Sequence, residues 1–368
     1  MFSDKFISML KILHIAPLNF AGVPYDFYKM HNACGDQSRI VTLHKNERVF
    51  PEDICLDFPL PNQTLAKILR RKKIQLLEEK KRDTAHYFEF RNTFEKSYYR
   101  VYDFLIQPKI EKSISDFSLN DFDIIHYDGG LDFYRDSRQA LKWKKQGKKI
   151  VCCYYGSDLR IRGLINELDE ISDLNITSEY DHLALKKDLK YLFYPYDVSE
   201  LPTNKERINE TIKIVHSPTN RKYKGTELII SVIDKVKKER KIEFLLIENM
   251  DRNKLLDIKS GCDISIDQVG GTMGGTGYGK AGLETLEMGI PTITNMTKDY
   301  SDWLPENPFV VANNFDELYK SLIELIDNEK YRIENGKKGI EWVKKYHSFE
   351  SVNENLMKLY REKGIIST

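Results

Sequence analysis

Apolar and polar positions along this chain switch between two regimes. Short apolar runs closed by turn residues read as buried strands, and longer stretches with apolar spacing of three to four read as helices. Met9–Ala16 is a short apolar run ended by Pro17 and predicts a first parallel strand. The loop Leu18–Pro24 contains Gly22 and leads into a helix-like segment from Tyr25. Arg39–His44 reads as a second strand. Asp123–His126 is another, closed by Asp128-Gly129-Gly130. The basic helical stretch Ser137–Gln146 then precedes the strand Lys149–Tyr154. A second series starts near residue 211, with strands at Thr211–Val215, Glu243–Ile247, Asp263–Ile266, Thr292–Thr294 and Phe309–Val311. Glu227–Glu239 and Phe315–Asn328 are its clearest helices. Strands alternating with helices predict an α/β protein with parallel sheets, whose ligands lie at the C-terminal ends of the strands. Between the two series, Asp197–Asn209 is a polar stretch with Pro202 and reads as the boundary. In the tail Phe349–Lys363, Val352, Leu356, Leu359 and Tyr360 share one helical face.

Composition narrows the class. The 368 residues suffice for two domains with proper cores, and the 41% hydrophobic and 31% charged fractions are those of an ordinary globular protein. Lys plus Arg number 57 against 56 Asp plus Glu, so no global charge argues for nucleic acid as a partner. No apolar run reaches bilayer-spanning length. Lys11 interrupts the apolar patch that begins at Phe6 and no small-residue cleavage site follows, which argues against a signal peptide. The five cysteines, Cys34, Cys55, Cys152, Cys153 and Cys262, have irregular spacing and no CxxC, so reduced thiols and a cytoplasmic location are expected. His14, His44, His86, His126 and His216 form no pair at metal-ligand spacing, so no metal is expected.

The most informative stretch runs from Thr276 through Gly277-Tyr278-Gly279 to Glu284 and then Gly289-Ile290-Pro291, directly after the apolar strand ending at Asp267. A strand, a glycine turn and a helix N-terminus hold phosphorylated ligands: the backbone approaches closely, and free N–H groups and the helix dipole favour anions. Glu284 in an early turn of that helix can accept hydrogen bonds from sugar hydroxyls. A second candidate loop is His216-Ser-Pro-Thr-Asn-Arg221-Lys-Tyr-Lys224-Gly225-Thr226, after a strand. Its cations, Arg221 and Lys224, can stabilise a departing diphosphate without a metal. A third is Tyr155-Gly156-Ser157-Asp158.

Taken together, these three segments resemble family 4 of the retaining glycosyltransferases. Glu-Gly-Phe-Gly, then a second Glu, then Gly-x-Pro is that family's donor-site signature, and Gly277, Gly279, Glu284, Gly289 and Pro291 fall in register with it. The loop at 216–226 resembles the family's diphosphate-binding loop, and 155–158 its acceptor-domain His-Gly-Ser-Asp turn. The resemblance implies a GT-B fold: two Rossmann-like domains facing across a cleft, here 1–200 for the acceptor and 210–345 for the nucleotide-sugar donor. A C-terminal helix within 346–368 is implied to cross back to the first domain. The implied activity is transfer of a sugar from a nucleoside-diphosphate sugar to a glycan or lipid-linked acceptor, with retention, in surface polysaccharide assembly. No cofactor is implied beyond the nucleotide sugar itself as donor substrate. Two positions depart from the pattern: Thr276 stands where the family has its first Glu, and Tyr155 where it has His. Threonine can hydrogen-bond but carries no charge.

The implied donor residues are Glu284 on the ribose, with Thr276, Gly277, Tyr278, Gly279 and, in the first domain, Gly22. Arg221 and Lys224 carry the catalytic charge, joined by His126 at a strand end. A lone histidine is more often a packing residue. Tyr155, Asp158, Arg160 and Arg162 are acceptor-site candidates, the arginines suiting an anionic acceptor; Asp158 can equally cap the helix that follows. Residues 65–104 combine a basic cluster at 67–82 with aromatics from Tyr87 to Phe104, a pattern that suits an anionic membrane surface at the inner face of the plasma membrane or, alternatively, helices with a solvated basic face. Two other functions fit the same features: a non-catalytic nucleotide-sugar-binding partner protein, and a nucleotide-sugar epimerase.

Overall fold

A parallel strand covered on both faces must be apolar along nearly its whole length, and the strands of this protein follow that rule. In the computed structural model, which describes residues 9–46, 50–59, 84–90, 92–202, 210–270 and 277–367, the chain forms two units: Met1–Tyr196 with Phe349–Thr368, and Asp197–Ser348.

In the first unit, β1 (Lys11–Ala16), β2 (Gln37–Thr42), β3 (Ile54–Cys55), β4 (Ile124–Asp128), β5 (Lys149–Tyr154), β6 (Leu174–Thr177) and β7 (Lys190–Tyr191) form one parallel sheet in the order β3-β2-β1-β4-β5-β6-β7. The order reverses between β1 and β4, where His14 pairs with His126. Helices α1 (Val23–Ala33), α2 (Thr93–Asp116), α3 (Arg138–Lys145), α4 (Asn166–Ile171) and α5 (His182–Leu185) connect the strands. Asn92 starts α2 by accepting the amide of Glu95 at 2.8 Å. Leu13, Ile15, Val41, Ile125, Tyr127, Ile150 and Cys152 form the core, closed by Trp143 of α3.

In the second unit, β8 (Ile212–His216), β9 (Ile242–Leu246), β10 (Ile264–Gln268), β11 (Thr292–Thr294) and β12 (Val310–Val311) form a parallel sheet in the order β12-β11-β10-β8-β9. Its helices are α6 (Arg221–Lys224), α7 (Thr226–Val236), α8 (Arg252–Ser260), α9 (Lys280–Glu287), α10 (Lys298–Trp303), α11 (Phe315–Asp327) and α12 (Glu329–His347). Ile214, Ile266 and Ile293 meet Ile229, Val232, Ile233 and Val236 of α7 and Leu318, Leu322 and Leu325 of α11. The order reverses between β8 and β10. The loops that leave these two strands are therefore the natural ligand-binding crevice of this unit.

The last helix, α13 (Phe349–Glu362), belongs to the first unit and packs on α1. It buries Val352, Leu356, Met357 and Tyr360; Leu359 is half-buried, one position off the face expected. Every strand predicted from an apolar run is present, its start displaced by two residues at most. The strands β3, β6 and β7 escaped the pattern because they are short and carry polar residues, as in Leu174-Asn-Ile-Thr177. The basic cluster at 67–82 lies outside the described residues. Among the described residues no helix is long and apolar enough to cross a membrane.

Candidate functional site

The crevice of the second unit is built by two loops. The first leaves β8 at His216, a fully buried imidazole. Its Nδ1 lies 2.8 Å from the carbonyl of Ile266 and its Nε2 2.9 Å from the Thr226 hydroxyl. A carbonyl only accepts, so Nδ1 carries the proton and Nε2 accepts from Thr226. Burial above all lowers the His216 pKa to about 4, which keeps the ring neutral. Asn220 caps α6 through the amide of Tyr223. Gly225, at φ 65°, lets α6 turn at once into α7. This turn sets Lys224, whose Nζ reaches Asp267 Oδ1 at 2.7 Å. Arg221 is exposed and bound to Glu227 and Glu248, each at 2.8 Å.

The second loop leaves β10 at Asp267-Gln268. Gly277 is held on all sides: its amide donates to Asn295 at 3.0 Å, and its carbonyl accepts from Gln268 Nε2 at 2.9 Å and Thr294 Oγ1 at 2.7 Å. Its φ is 123°, and a Cβ there would overlap the Tyr300 ring. Tyr278 turns into the unit. It stacks on Phe309 at 4.8 Å, meets Trp342 edge-on, and shares a hydrogen bond of 3.0 Å with His347. Tyr278, assigned from sequence to the donor, makes packing contacts here, and one aromatic between two glycines anchors the loop. Gly279 opens α9, with open space where a Cβ would stand and its amide 3.4 Å from Asp267 Oδ2. Thr276 and residues 271–275 lie outside the described residues.

Glu284 sits in the second turn of α9 and is only 6% exposed. Lys259 Nζ, on a side chain 2% exposed, holds Oε2 at 2.9 Å, and Arg252 holds Oε1 at 3.1 Å. Burial pushes the carboxyl up, yet Lys259 and Arg252 together outweigh it and hold the pKa below the usual value. A carboxylate has about four acceptor positions, so two bonds from cations do not exhaust it. Glu287, one turn further along the same helix, is half-buried, and burial raises its pKa to about 7.

The candidates in the first unit are placed differently. Gly22 caps α1 at φ 76°, a conformation natural to glycine. Asp158 accepts the amides of Tyr155, Gly156 and Leu159, each at 2.8 Å, and so fastens the turn after β5. The Tyr155 hydroxyl donates to Asp128, which also binds His14 Nδ1 at 2.9 Å. Burial pushes Asp128 up to about 7. Arg160 is locked between Glu179 and Asp181. Arg162 donates from Nε to the carbonyl of Gly163 at 3.1 Å, and its Nη2 is buried with no hydrogen-bond partner among the described residues. His126 is the clearest correction. The strand runs on to Asp128, so His126 lies mid-strand, fully buried and not at a strand end. Its Nε2 bonds the Tyr360 hydroxyl of α13 and its Nδ1 lies 3.5 Å from Cys153 Sγ. With His14 and His31 it forms a buried imidazole cluster, with ring centroids 4.5 and 5.8 Å away.

Four residues absent from the sequence assignment complete the geometry of this crevice: Asp267, Gln268, Arg252 and Lys259. Arg252 and Lys259 are seven apart on one helix face, a spacing that predicts a shared target. Asp267 is the fourth residue of the buried strand β10. Among the described residues no cluster of His, Cys, Asp and Glu is arranged to hold a metal ion.

No protein-family model and no curated protein sequence matches the chain. Solved structures do. Anabaena Alr3699/HepE, crystallised with UDP and glucose, matches with a TM-score of 0.57 at 11% identity over 95% of this chain and 99% of that one. A structure described as trehalose-6-phosphate from E. coli bound with UDP-2-fluoro glucose matches with a TM-score of 0.63 at 11% identity over 96% and 99%. A point mutant of S. aureus TarM, in complex with Fondaparinux, alpha-GlcNAc-glycerol and UDP, matches with a TM-score of 0.55 at 10% identity over 95% and 100%. These neighbours are GT-B glycosyltransferases, and the chain has the two-domain GT-B fold.

Proposed function

We propose that the protein is a metal-independent glycosyltransferase acting from a nucleoside-diphosphate sugar. The observation that carries this is the meeting of Lys224 and the Gly279 amide on Asp267, at the switch point of the second sheet, with Glu284 in the second turn of the helix that Gly279 caps. Lys224 and that amide suit a diphosphate, and Glu284 suits the ribose hydroxyls. In the reaction the bond from the anomeric carbon to the phosphate oxygen breaks. The acceptor oxygen bonds that carbon, and its proton leaves with the departing diphosphate. The resemblance to family 4 supports retention and a glycan or lipid-linked acceptor in surface polysaccharide assembly, on the cytoplasmic side of the membrane. UDP in several structural neighbours makes UDP the first probe. In calorimetry, Lys224→Ala weakens UDP about ten- to a hundredfold, the worth of a charge-assisted hydrogen bond, and leaves uridine unchanged. Equal losses for both ligands refute the assignment. Glycosyl transfer survives excess chelator; loss and rescue by magnesium refute the metal-free reading. A non-catalytic binding protein binds UDP-sugar without consuming it, and an epimerase converts it with no acceptor present.

The first unit supports a second contact, with an anionic membrane surface. On α2 the inward face carries Asp103, Ile106 and Ile110. Phe94, Val101, Phe104 and Leu105 stand 78%, 59%, 73% and 69% exposed on the other side. Of the aromatics read from sequence, Phe88, Phe90, Tyr99 and Tyr102 are half-buried, so the exposed set is Tyr87, Phe94, Tyr98 and Phe104. Such a stripe, following the basic cluster at 67–82 in the sequence, suits interfacial binding. Co-sedimentation with liposomes rises with anionic lipid and falls when Phe94, Phe104 and Leu105 are all serine. A wild-type chain that ignores anionic liposomes refutes it.

A further inference from the structure

Asp267 touches both of the groups assigned to the diphosphate. Its side chain is 2% exposed. Oδ1 takes the Lys224 ammonium at 2.7 Å, and Oδ2 faces the Gly279 amide at 3.4 Å. Its neighbours are those an incoming phosphate oxygen seeks: a cation and the amide of the residue that caps a helix. Among the described residues the other carboxylates near the crevice have different partners: Glu227 and Glu248 hold the exposed Arg221, and Glu284 is enclosed by Lys259 and Arg252. A diphosphate bound by Lys224 and α9 therefore lies beside a fixed negative charge.

That charge has a consequence for which diphosphate stays bound. In a nucleotide sugar both phosphates are esterified, and each carries one charge. Transfer leaves a terminal phosphate that gains a further charge above about pH 6. Resting on the reading of Lys224 as diphosphate ligand, we propose that Asp267 is a specificity-determining residue: it disfavours the extra charge of the free nucleoside diphosphate and so favours exchange of product for fresh donor. Asp267 does not touch the reacting carbon. It acts through the charge balance of the site, and its effect scales with ligand charge. Between unit charges 4 Å apart, Coulomb's law gives about a fivefold effect per ligand charge even at the dielectric of water, and more where water is excluded.

The test compares uridine, UDP and the terminal methyl ester of UDP by calorimetry at about pH 7.5. The ester lacks the extra charge without adding sugar contacts. Asp267→Asn leaves uridine unchanged, tightens the ester, and tightens UDP by a further factor of about five. Asp267→Glu keeps the charge and the wild-type ratio of ester to UDP. Equal tightening of ester and UDP, or weaker binding of both, overturns the inference; the second result makes Asp267 a support for Lys224 only. If the Asn variant does not fold, the wild-type chain decides. Its preference for UDP over the ester rises no more than about twofold from pH 5.5 to 7.5, and any larger rise across the terminal ionisation overturns the proposal. Unchanged UDP affinity in Lys224→Ala instead refutes the diphosphate reading itself, and a wild-type chain that does not bind UDP refutes both.

Discussion

Replacing Lys259 with methionine isolates what the buried pair with Glu284 contributes. The ammonium is 2.9 Å from Oε2 and almost wholly enclosed, while Arg252 holds the other oxygen from a half-exposed position. Methionine keeps most of the lysine stem volume, so the loss is chiefly one of charge. Breaking a buried pair costs about 3–5 kcal/mol when the remaining charge has no other partner. Arg252 still serves Glu284, so the expected loss is about 2–3 kcal/mol. Lys259→Met with Glu284→Gln removes both charges and returns to within about 1 kcal/mol of wild type, because a buried pair and its neutral replacement nearly break even. The pH dependence separates charge from packing. In the wild type, Glu284 is held below its usual pKa by Lys259 and Arg252 against the opposing effect of burial. Its stabilisation is complete above about pH 4.5 and is lost as pH falls through the folded-state value. Without Lys259, burial dominates and the carboxyl pKa rises. The variant then carries its largest deficit at pH 7, and the deficit shrinks as protonation relieves the buried charge toward pH 4. Urea unfolding followed by fluorescence reads this directly, since Trp303 and Trp342 both belong to the second unit. A deficit that does not change with pH shows that only packing was lost and refutes the electrostatic argument.

Burial lowers the His126 pKa well below the usual histidine value, with His14 and His31 adding to the effect, so the folded chain resists its protonation. The folded value lies below the unfolded one, so the stability it confers is present above about pH 6.5 and is lost below it at about 1.4 kcal/mol per pH unit. Asp128 and His14 titrate in the same cluster, so the comparison is with His126→Asn, which keeps them. The stability advantage of wild type over this variant shrinks by about 1 kcal/mol in urea titrations from pH 6.5 to 5.5, where the unfolded imidazole is still titrating, and a constant difference refutes it. Gly277→Ala combines a positive φ with a clash against Tyr300, a cost of about 2–5 kcal/mol. Thermal unfolding checks this, and a loss under about 1 kcal/mol shows that the loop can shift.

The second sheet and the centre of the first were legible because parallel strands buried on both faces leave unmistakable apolar runs, as in Lys149–Tyr154, where predicted and observed bounds coincide. Backbone geometry was legible for a related reason. Gly225 and Gly277 mark positive φ directly in the sequence, and Gly279 marks the open start of α9. Side-chain direction was not. Tyr278 and Gly277 are neighbours, yet one packs against Phe309 and Trp342 while the other shapes the loop, and nothing local distinguishes a tyrosine facing a ligand from one facing a core. His126 failed for a register reason: extending its strand to Asp128 moves it from the edge to the interior.

The pairing of charges was the least legible feature, and it changes how the proposed donor site would take up an anion. Lys224 meets Asp267 across 43 positions of sequence and Lys259 meets Glu284 across 25; such pairs are made by the sheet order, which brings β8 beside β10, and by the packing of α8 against α9. Read from sequence, Arg221 and Lys224 form a positive well awaiting an anion. In the folded unit Lys224, Arg221, Lys259 and Arg252 face Asp267, Glu227, Glu248 and Glu284, so four cations stand among four carboxylates. A diphosphate entering such a site gains no uncompensated charge. It gains by sharing or exchanging partners, and the cost of loosening each existing pair sets its affinity. The exposed Arg221 pairs are worth little and yield readily, whereas the enclosed Glu284 cluster resists change. Lys224 with Asp267 lies between these extremes, partly enclosed and directly beside the α9 amide. It is the pair at which a ligand's charge is weighed against the protein's own.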